Sequence, residues 1–226
     1  VKQLNFDPIY FFETFPKLMP YLPITLMLAI VSLILSIIGG LIIALILRAK
    51  IPVLKEIAIV YISFFRSIPS LVQLFLIYYG LPQLIPGMRV IDALTAAIIG
   101  LSIKNAAYLA EIFRAAITSV DKGQFEAAHS IGLSKTQTYI KIVLPQATRN
   151  AIPASGNIFI GLIKETSLVF TLGVTEIFAK SKLLSSASYK YLETFLAVAI
   201  VYWLITIIYT YLQSLLEKKL NKPYES

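Results

Sequence analysis

Two charge-free apolar runs constrain this chain more than any other feature of its sequence. Residues 18–47 are 30 consecutive positions without a formal charge, and residues 194–216 are another 23. About 20 apolar residues in a helix cross the hydrocarbon core of a bilayer, so each run is long enough to span it. A run in lipid has no water to satisfy its backbone N–H and C=O groups, which leaves the α-helix as the form it takes. Composition agrees with that reading. The 226 residues are 58% hydrophobic and 14% charged, whereas soluble domains are about half apolar and about a quarter charged.

The same ruler divides the rest of the chain. Spans are expected at about 22–47, 57–80, 93–119, 152–175 and 194–216, all within one transmembrane domain covering 1–226. The fold class expected is therefore an all-α membrane protein with five transmembrane helices. Residues 5–21 mix aromatics, prolines and charges and suit an interfacial segment. The N-terminus lacks the basic region and small-residue cleavage site of a signal peptide, so the first span is expected to stay. Ser36, Gly39 and Gly40 place small residues on that span, where a neighbouring helix can approach closely. Residues 81–92 read as a Pro/Gly turn region, and 176–193 as a polar loop with room for a short helix. The fourth span is interrupted at 164–167 by Lys-Glu-Thr-Ser.

Charge bias orients the chain. Eleven basic residues fall on one side of the expected spans: Arg48, Lys50, Lys55, Arg114, Lys122, Lys135, Lys141, Arg149, Lys218, Lys219 and Lys222. Six fall on the other: Lys2, Lys17, Arg89, Lys180, Lys182 and Lys190. Basic loops mark the cytoplasm, which puts the N-terminus outside and the C-terminus inside. The net charge of +8 is spread over loops rather than gathered on one face. That fits anionic lipid headgroups and not nucleic acid. There is no cysteine and only one histidine, His129, so no metal site is expected.

Ionisable groups inside expected spans are costly, and each needs a partner or an aqueous cavity. Lys164 and Glu165 sit where the fourth span breaks, with the Thr166 and Ser167 hydroxyls next to them. A broken helix has free backbone groups, tolerated at depth where they line a cavity or are buried in protein. Adjacent opposite charges there suit the two ends of a zwitterion, or else a salt bridge in which Glu165 answers Lys104 or Arg66. On the third span Lys104 and Asn105 fall near mid-depth, and helical spacing puts Tyr108 and Glu111 on the face of Lys104. Arg66 lies one turn before Pro69, where freed carbonyls need donors. Lys104, Asn105, Tyr108, Glu111, Lys164, Glu165, Thr166, Ser167 and Arg66 are the candidate substrate pathway. No paired-carboxylate or other catalytic constellation is present, so no catalytic residue is assigned.

The polar island at 121–149 has the grammar of two short helices. Asp121 with Gln124 is a start signal and Gly132 a stop; Ser134 with Gln137 is a capping box, and Pro145 is expected to end the second helix. The stretch GLSKT (132–136) is not a nucleotide loop. A P-loop needs glycine immediately before the lysine and again five residues earlier, and those positions are Ser134 and His129.

Within that island Glu126-Ala127-Ala128, Gly132, Ile142 and Leu144-Pro145 form a pattern that resembles the cytoplasmic EAA loop of permease subunits of bacterial ABC importers. FFRSIPSLVQLFLIYYGLP (64–82), AAYLAEIFRAAITSVDKGQFEAA (106–128) and ETSLVFTLGVTEI (165–177) are similar to the polar amino acid uptake group of those permeases. One departure is Arg66-Ser67-Ile68-Pro69, where many relatives read Arg-Gly-Thr-Pro. The resemblance implies the type I ABC importer permease fold with a cytoplasmic coupling hairpin, in a multi-pass protein of the bacterial inner membrane. Its implied partners are a second permease subunit (identical or similar), two ABC ATPase subunits and an extracytoplasmic substrate-binding protein. ATP and Mg would be bound by the partner ATPase, with no cofactor in this chain, and Glu126, Ala127, Ala128, Gly132, Ile142, Leu144 and Pro145 would couple to it. A polar and preferably basic amino acid is the substrate expected, since Glu111 and Glu165 attract cations. The alternatives are a self-contained ion-coupled transporter or channel using the intramembrane charges, and a scaffold that only docks a partner.

Overall fold

The computed structural model describes residues 6–49 and 51–222. Lys2, Lys50 and residues 223–226 of the basic tail lie outside the described residues. Among the described residues the protein is helical throughout, with no strand. Helix α1 (Pro8–Leu18) continues through a 3₁₀ turn (Met19–Tyr21) into α2 (Leu22–Ala49). Then follow α3 (Pro52–Ser67), α4 (Ser70–Phe75), a π turn (Leu76–Gly80), α5 (Leu81–Leu84) and a 3₁₀ turn (Pro86–Val90). Helix α6 (Ala93–Thr118) leads to α7 (Lys122–Ser130) and α8 (Lys135–Thr138). A π turn (Tyr139–Val143) joins α8 to α9 (Leu144–Glu165), and a 3₁₀ stretch (Thr166–Leu172), α10 (Ile177–Ser188) and α11 (Tyr191–Asn221) complete the chain.

Three helical stretches are long and apolar enough to cross a membrane: Pro8–Ala49, Ala93–Thr118 and Tyr191–Asn221. The number rises to five if each of two broken helix pairs counts as one span. The most apolar windows of the first and last are only 22% and 17% buried, against 56% for α6. A helix apolar all round and largely uncovered belongs against lipid, whereas α6 is mostly covered by protein. The region expected as a single span at 57–80 is two helices. Ile68 and Pro69 are both extended (ψ 144° and 139°). Proline disfavours the α conformation in the residue before it and carries no N–H to continue the ladder.

The chain divides into two compact units. One comprises residues 1–32, 69–101 and 160–209. Its core is Leu18, Ile177, Ala197, Val198 and Val201, with Phe11, Phe15 and Phe195 packed against it. Helix α1 is fastened to this core by polar contacts. The Asp7 side chain caps it at the Tyr10 N–H (3.0 Å), the Asp7 N–H donates to Glu193 Oε1 (2.9 Å), and Asp7 pairs with Lys190. Hydrogen bonding to Lys190 holds the Asp7 carboxyl below the usual carboxylate range.

The other unit comprises residues 33–68, 102–159 and 210–226. Here α2 meets α6 along the small-residue seam expected from the sequence. The Ser36 hydroxyl donates to the Ser102 carbonyl (3.1 Å). A Cβ on Gly40 would stand 2.8 Å from Leu109 Cβ, so only glycine lets the backbones come this close.

Candidate functional site: a capped hairpin, a charged cavity and a helix break

The hairpin folds as its local chemistry dictates. Asp121 caps α7 by accepting from the Gly123 N–H (2.7 Å). The helix ends in a Schellman turn: the Gly132 N–H donates to His129 O (2.9 Å) and the Leu133 N–H to Ala128 O (3.1 Å). That turn requires a left-handed residue, and Gly132 has φ 78° with nothing within 4 Å of where a Cβ would lie. The capping box of α8 is complete, Ser134 Oγ accepting from the Gln137 N–H and Gln137 Oε1 from the Ser134 N–H.

Pro145 does not end the second helix, contrary to expectation. Before it the helix widens into the π turn Tyr139–Val143, in which the Leu144 N–H reaches five residues back to Tyr139 O. The wider turn removes the clash a proline ring makes with the carbonyl four residues earlier, and α9 runs on from Leu144. The hairpin is seated on α6 by Ala116, Val120, Val143, Ala147 and Ala151, with Ile117, Phe125 and Tyr139 around them. Ala128 is buried at 1% exposure, whereas Glu126, Ala127, Gly132, Leu144 and Pro145 are exposed and Ile142 is half-buried. Ile131 and Ile140 are 75% and 60% exposed beside them. The exposed residues of the hairpin thus place apolar side chains and the Glu126 carboxylate among exposed Lys122, His129, Lys135 and Lys141.

In the same unit, the polar stripe of α6 meets the end of α3. A cavity of about 720 Å³ is lined by Lys55, Ser63, Arg66, Ser67, Tyr108, Glu111 and Arg114, with Leu47, Ile59 and Ile62 as its apolar wall. The Tyr108 hydroxyl donates to the Arg66 carbonyl (3.3 Å), and the Arg66 guanidinium lies 5.3 Å from the centre of the Tyr108 ring. Lys104 Nζ lies 5.7 Å from that ring centre. Glu111 accepts from Arg114 at 2.6 Å, while Asn105 is buried on the same helix. Of the candidate pathway residues, Arg66, Tyr108 and Glu111 therefore share one cavity, with Lys104 at its aromatic wall. Lys55, Arg66 and Arg114 against Glu111, which is paired with Arg114, give the cavity a net positive lining.

The remaining candidates, Lys164, Glu165, Thr166 and Ser167, belong to the other unit. There α9 gives way to the 3₁₀ stretch because hydroxyls compete for backbone carbonyls. Thr166 donates to Ile163 O (2.7 Å), Ser167 to Lys164 O (2.6 Å) and Thr171 to Leu168 O (2.7 Å). Gly173, at φ 92°, stops the stretch. Glu165 is half-buried and accepts from the Ser70 hydroxyl at the start of α4 (3.3 Å), and Lys164 is exposed.

Sequence reasoning passes over Glu176, which stands at the edge of the stretch that reads as a loop. It is fully buried. One carboxyl oxygen caps α10 at the Ala179 N–H (2.8 Å); the other accepts from Thr25 (3.2 Å) and Tyr202 (2.9 Å). A carboxylate three residues before a helical N–H is a cap signal, but nothing local signals burial, because Thr25 lies 151 residues away in sequence. Arg48 reads from sequence only as a loop charge, yet its guanidinium carbon lies 3.4 Å from the centre of the Tyr139 ring. Among the described residues no group of three or more His, Asp or Glu side chains is placed to hold a metal ion.

Residues 36–222 match the family model described as the inner membrane component of binding-protein-dependent transport systems. The chain is 64% identical over 217 residues to the probable amino-acid permease protein YxeN of Bacillus subtilis, covering 96% of this chain and 97% of that protein. It is 50% identical over 221 residues to the probable amino-acid ABC transporter permease protein PatM of Vibrio harveyi, covering 98% and 99%. Among solved structures, a chain of an amino acid ABC transporter crystallised with histidines superposes with a TM-score of 0.87 at 36% identity, over 96% of this chain and all of that one.

Proposed function

The chain belongs to the binding-protein-dependent transport system inner membrane components and is the permease subunit of an amino-acid ABC importer; on that footing we propose that it carries a polar, preferably basic, amino acid inward by alternating access. It is a transport component, and ATP hydrolysis is the work of a separate subunit. Permeases of this family act with ATPase and substrate-binding protein subunits. The assembly in this reading holds two permeases, identical or similar, two ATPases that bind ATP and Mg, and one binding protein delivering substrate from outside. The N-terminus faces outward and the hairpin and C-terminus face the cytoplasm, as the distribution of basic residues favours.

The observation that carries the coupling role is the free side of the hairpin. Glu126 and Ala127 sit exposed beside Ile131 and Ile140, while Val143 and Ala147 hold the other side against Ala116 and Val120. An element seated on one side that leaves large apolar side chains and a carboxylate uncovered on the other is suited to a groove on another protein. Closure of the ATPase dimer on ATP would then move both hairpins, and α6 with them. Switching such an equilibrium nearly completely takes about 5.5 kcal/mol of differential binding, which nucleotide in the partner can supply.

The pathway in this reading has two stations. One is the cavity of Arg66, Tyr108 and Glu111, where the cations suit a substrate carboxylate. The other is the break at Lys164–Ser167, where Glu165 suits an ammonium or guanidinium. The coupling role is tested by copurification. Glu126→Lys should release the ATPase from a permease that still folds, as judged by unchanged gel-filtration behaviour. Retention of the ATPase at wild-type stoichiometry would refute docking through Glu126.

A further inference from the structure

The hairpin is continuous in sequence with α6 and α9, but α2 ends at Ala49, far from it along the chain. Nevertheless the end of α2 touches it. Arg48, in the last turn of α2, lays its guanidinium on the face of Tyr139, 3.4 Å from the ring centre. Tyr139 in turn meets Phe125 of α7 edge-on, with centroids 5.6 Å apart and planes at 65°. Arg48, Tyr139 and Phe125 thus join α2 to both arms of the hairpin.

The position of this contact is what gives it meaning. Tyr139 opens the π turn, the one place where the hairpin's second arm departs from regular helix before Pro145. Such turns concentrate at functional positions because they cost regular hydrogen-bond geometry. The stack also forms the wall of a cavity of about 410 Å³ that Ala44, Ile117 and Lys122 help to line. The hairpin's seat on α6 is an apolar cluster of buried side chains, which ties the hairpin's movement to that of α6. The link to α2 is a planar cation on a ring, with space beside it. A guanidinium can slide across a ring face while keeping its attraction, which close-packed side chains cannot do.

We propose that Arg48 and Tyr139 form a sliding clamp that transmits movement of the coupling hairpin to α2, making both positioning residues for transport. This rests on the coupling role of the hairpin proposed above. The bland alternative is that Arg48 merely complements the C-terminal dipole of α2. The two differ in what they ask of Tyr139, since a dipole contact needs no ring, and in what they ask of Arg48, since lysine serves a dipole equally well.

The test uses the complete transporter, permease with its ATPase and binding protein, reconstituted in liposomes, and reads amino-acid uptake per ATP hydrolysed. Removing a cation–π contact of this kind should lower that ratio by roughly threefold to tenfold. Arg48→Ala and Tyr139→Leu should each do so, and the double variant should lose no more than either alone. Tyr139→Phe keeps the ring and should restore coupling, whereas Arg48→Lys should not restore it fully. The ATPase should copurify with every variant. An unchanged ratio in Tyr139→Leu, additive losses, full rescue by Arg48→Lys, or loss of the ATPase would each overturn the clamp. Absence of ATP-dependent uptake by the wild-type assembly would instead overturn the coupling role on which the clamp rests.

Discussion

Glu165 and Glu176 lie eleven positions apart in the chain, yet they stand in different surroundings. Glu165 is half-buried where the helix breaks and accepts from the Ser70 hydroxyl. If it meets the cationic part of a basic substrate, Glu165→Gln should cut uptake of cationic amino acids at least about tenfold, a loss of roughly 1.4 kcal/mol or more, and neutral ones much less. Equal losses in a competition assay would make it a structural group. Glu176 is sealed in and satisfies three donors from three elements. Glu176→Ala removes the acceptor of the Tyr202 hydroxyl and of the Ala179 N–H, while the Thr25 hydroxyl keeps Tyr21 O (3.4 Å) and the Ile177 N–H (3.2 Å), a loss of about 2–4 kcal/mol. Glu176→Gln should be milder. Its amide oxygen can take the Ala179 N–H, and its NH₂ can donate to hydroxyls that rotate to accept. Thermal unfolding of the purified protein should rank wild type above Gln and Gln above Ala; equal midpoints for Ala and wild type would contradict the network.

Among elements, α1 offers a prediction that involves pH. Its start is tied to the start of α11 by the Asp7–Lys190 pair and by Asp7 N–H to Glu193. The Asp7 carboxyl is held below its ordinary value, chiefly by the hydrogen bond from Lys190. A carboxyl with a depressed folded value stabilises the fold above its unfolded value of about 3.9 and loses that contribution as pH falls through the folded one. Acidification from pH 6 to below about pH 4 should therefore loosen α1, read as lower amide protection over residues 9–12 once each rate is divided by its intrinsic rate at that pH. Asp7→Asn should show lower protection at both pH values, and that protection should change little with acid. The hairpin shows which elements a sequence declares. Its caps act over two or three residues, so Asp121, Ser134 and Gln137 are read directly, and Gly132 is legible because a Schellman turn demands a left-handed residue. The passage through Pro145 is not legible. Whether proline ends a helix or follows a π turn depends on how Val143 and Ala147 seat the arm on α6, and that packing involves residues more than twenty positions away. Ile68–Pro69 breaks its helix as the proline rule demands, although the apolar count alone draws one continuous span there.

For the whole molecule, membrane class, helical architecture and family are all legible, because charge-free runs and the EAA spacing are properties of the chain itself. The candidate pathway residues are found as types but not as groups. Nothing in the spacing of Arg66, Tyr108 and Glu111 says that α3 and α6 bring them around one cavity while Lys164–Ser167 belong to the other unit. The failed P-loop at 132–136 carries the larger consequence: the chain has no nucleotide site of that kind and an exposed apolar surface directly beside it. The central claim is that this chain is a pathway driven from outside itself through residues 126–145. Radiolabelled arginine uptake into proteoliposomes tests it most directly, comparing the permease alone with the permease plus its ATPase and binding protein, with ATP enclosed. The account predicts accumulation against a gradient only in the complete assembly, abolished by Glu126→Lys. Concentrative uptake by the permease alone, driven by an ion gradient and indifferent to ATP, would contradict it.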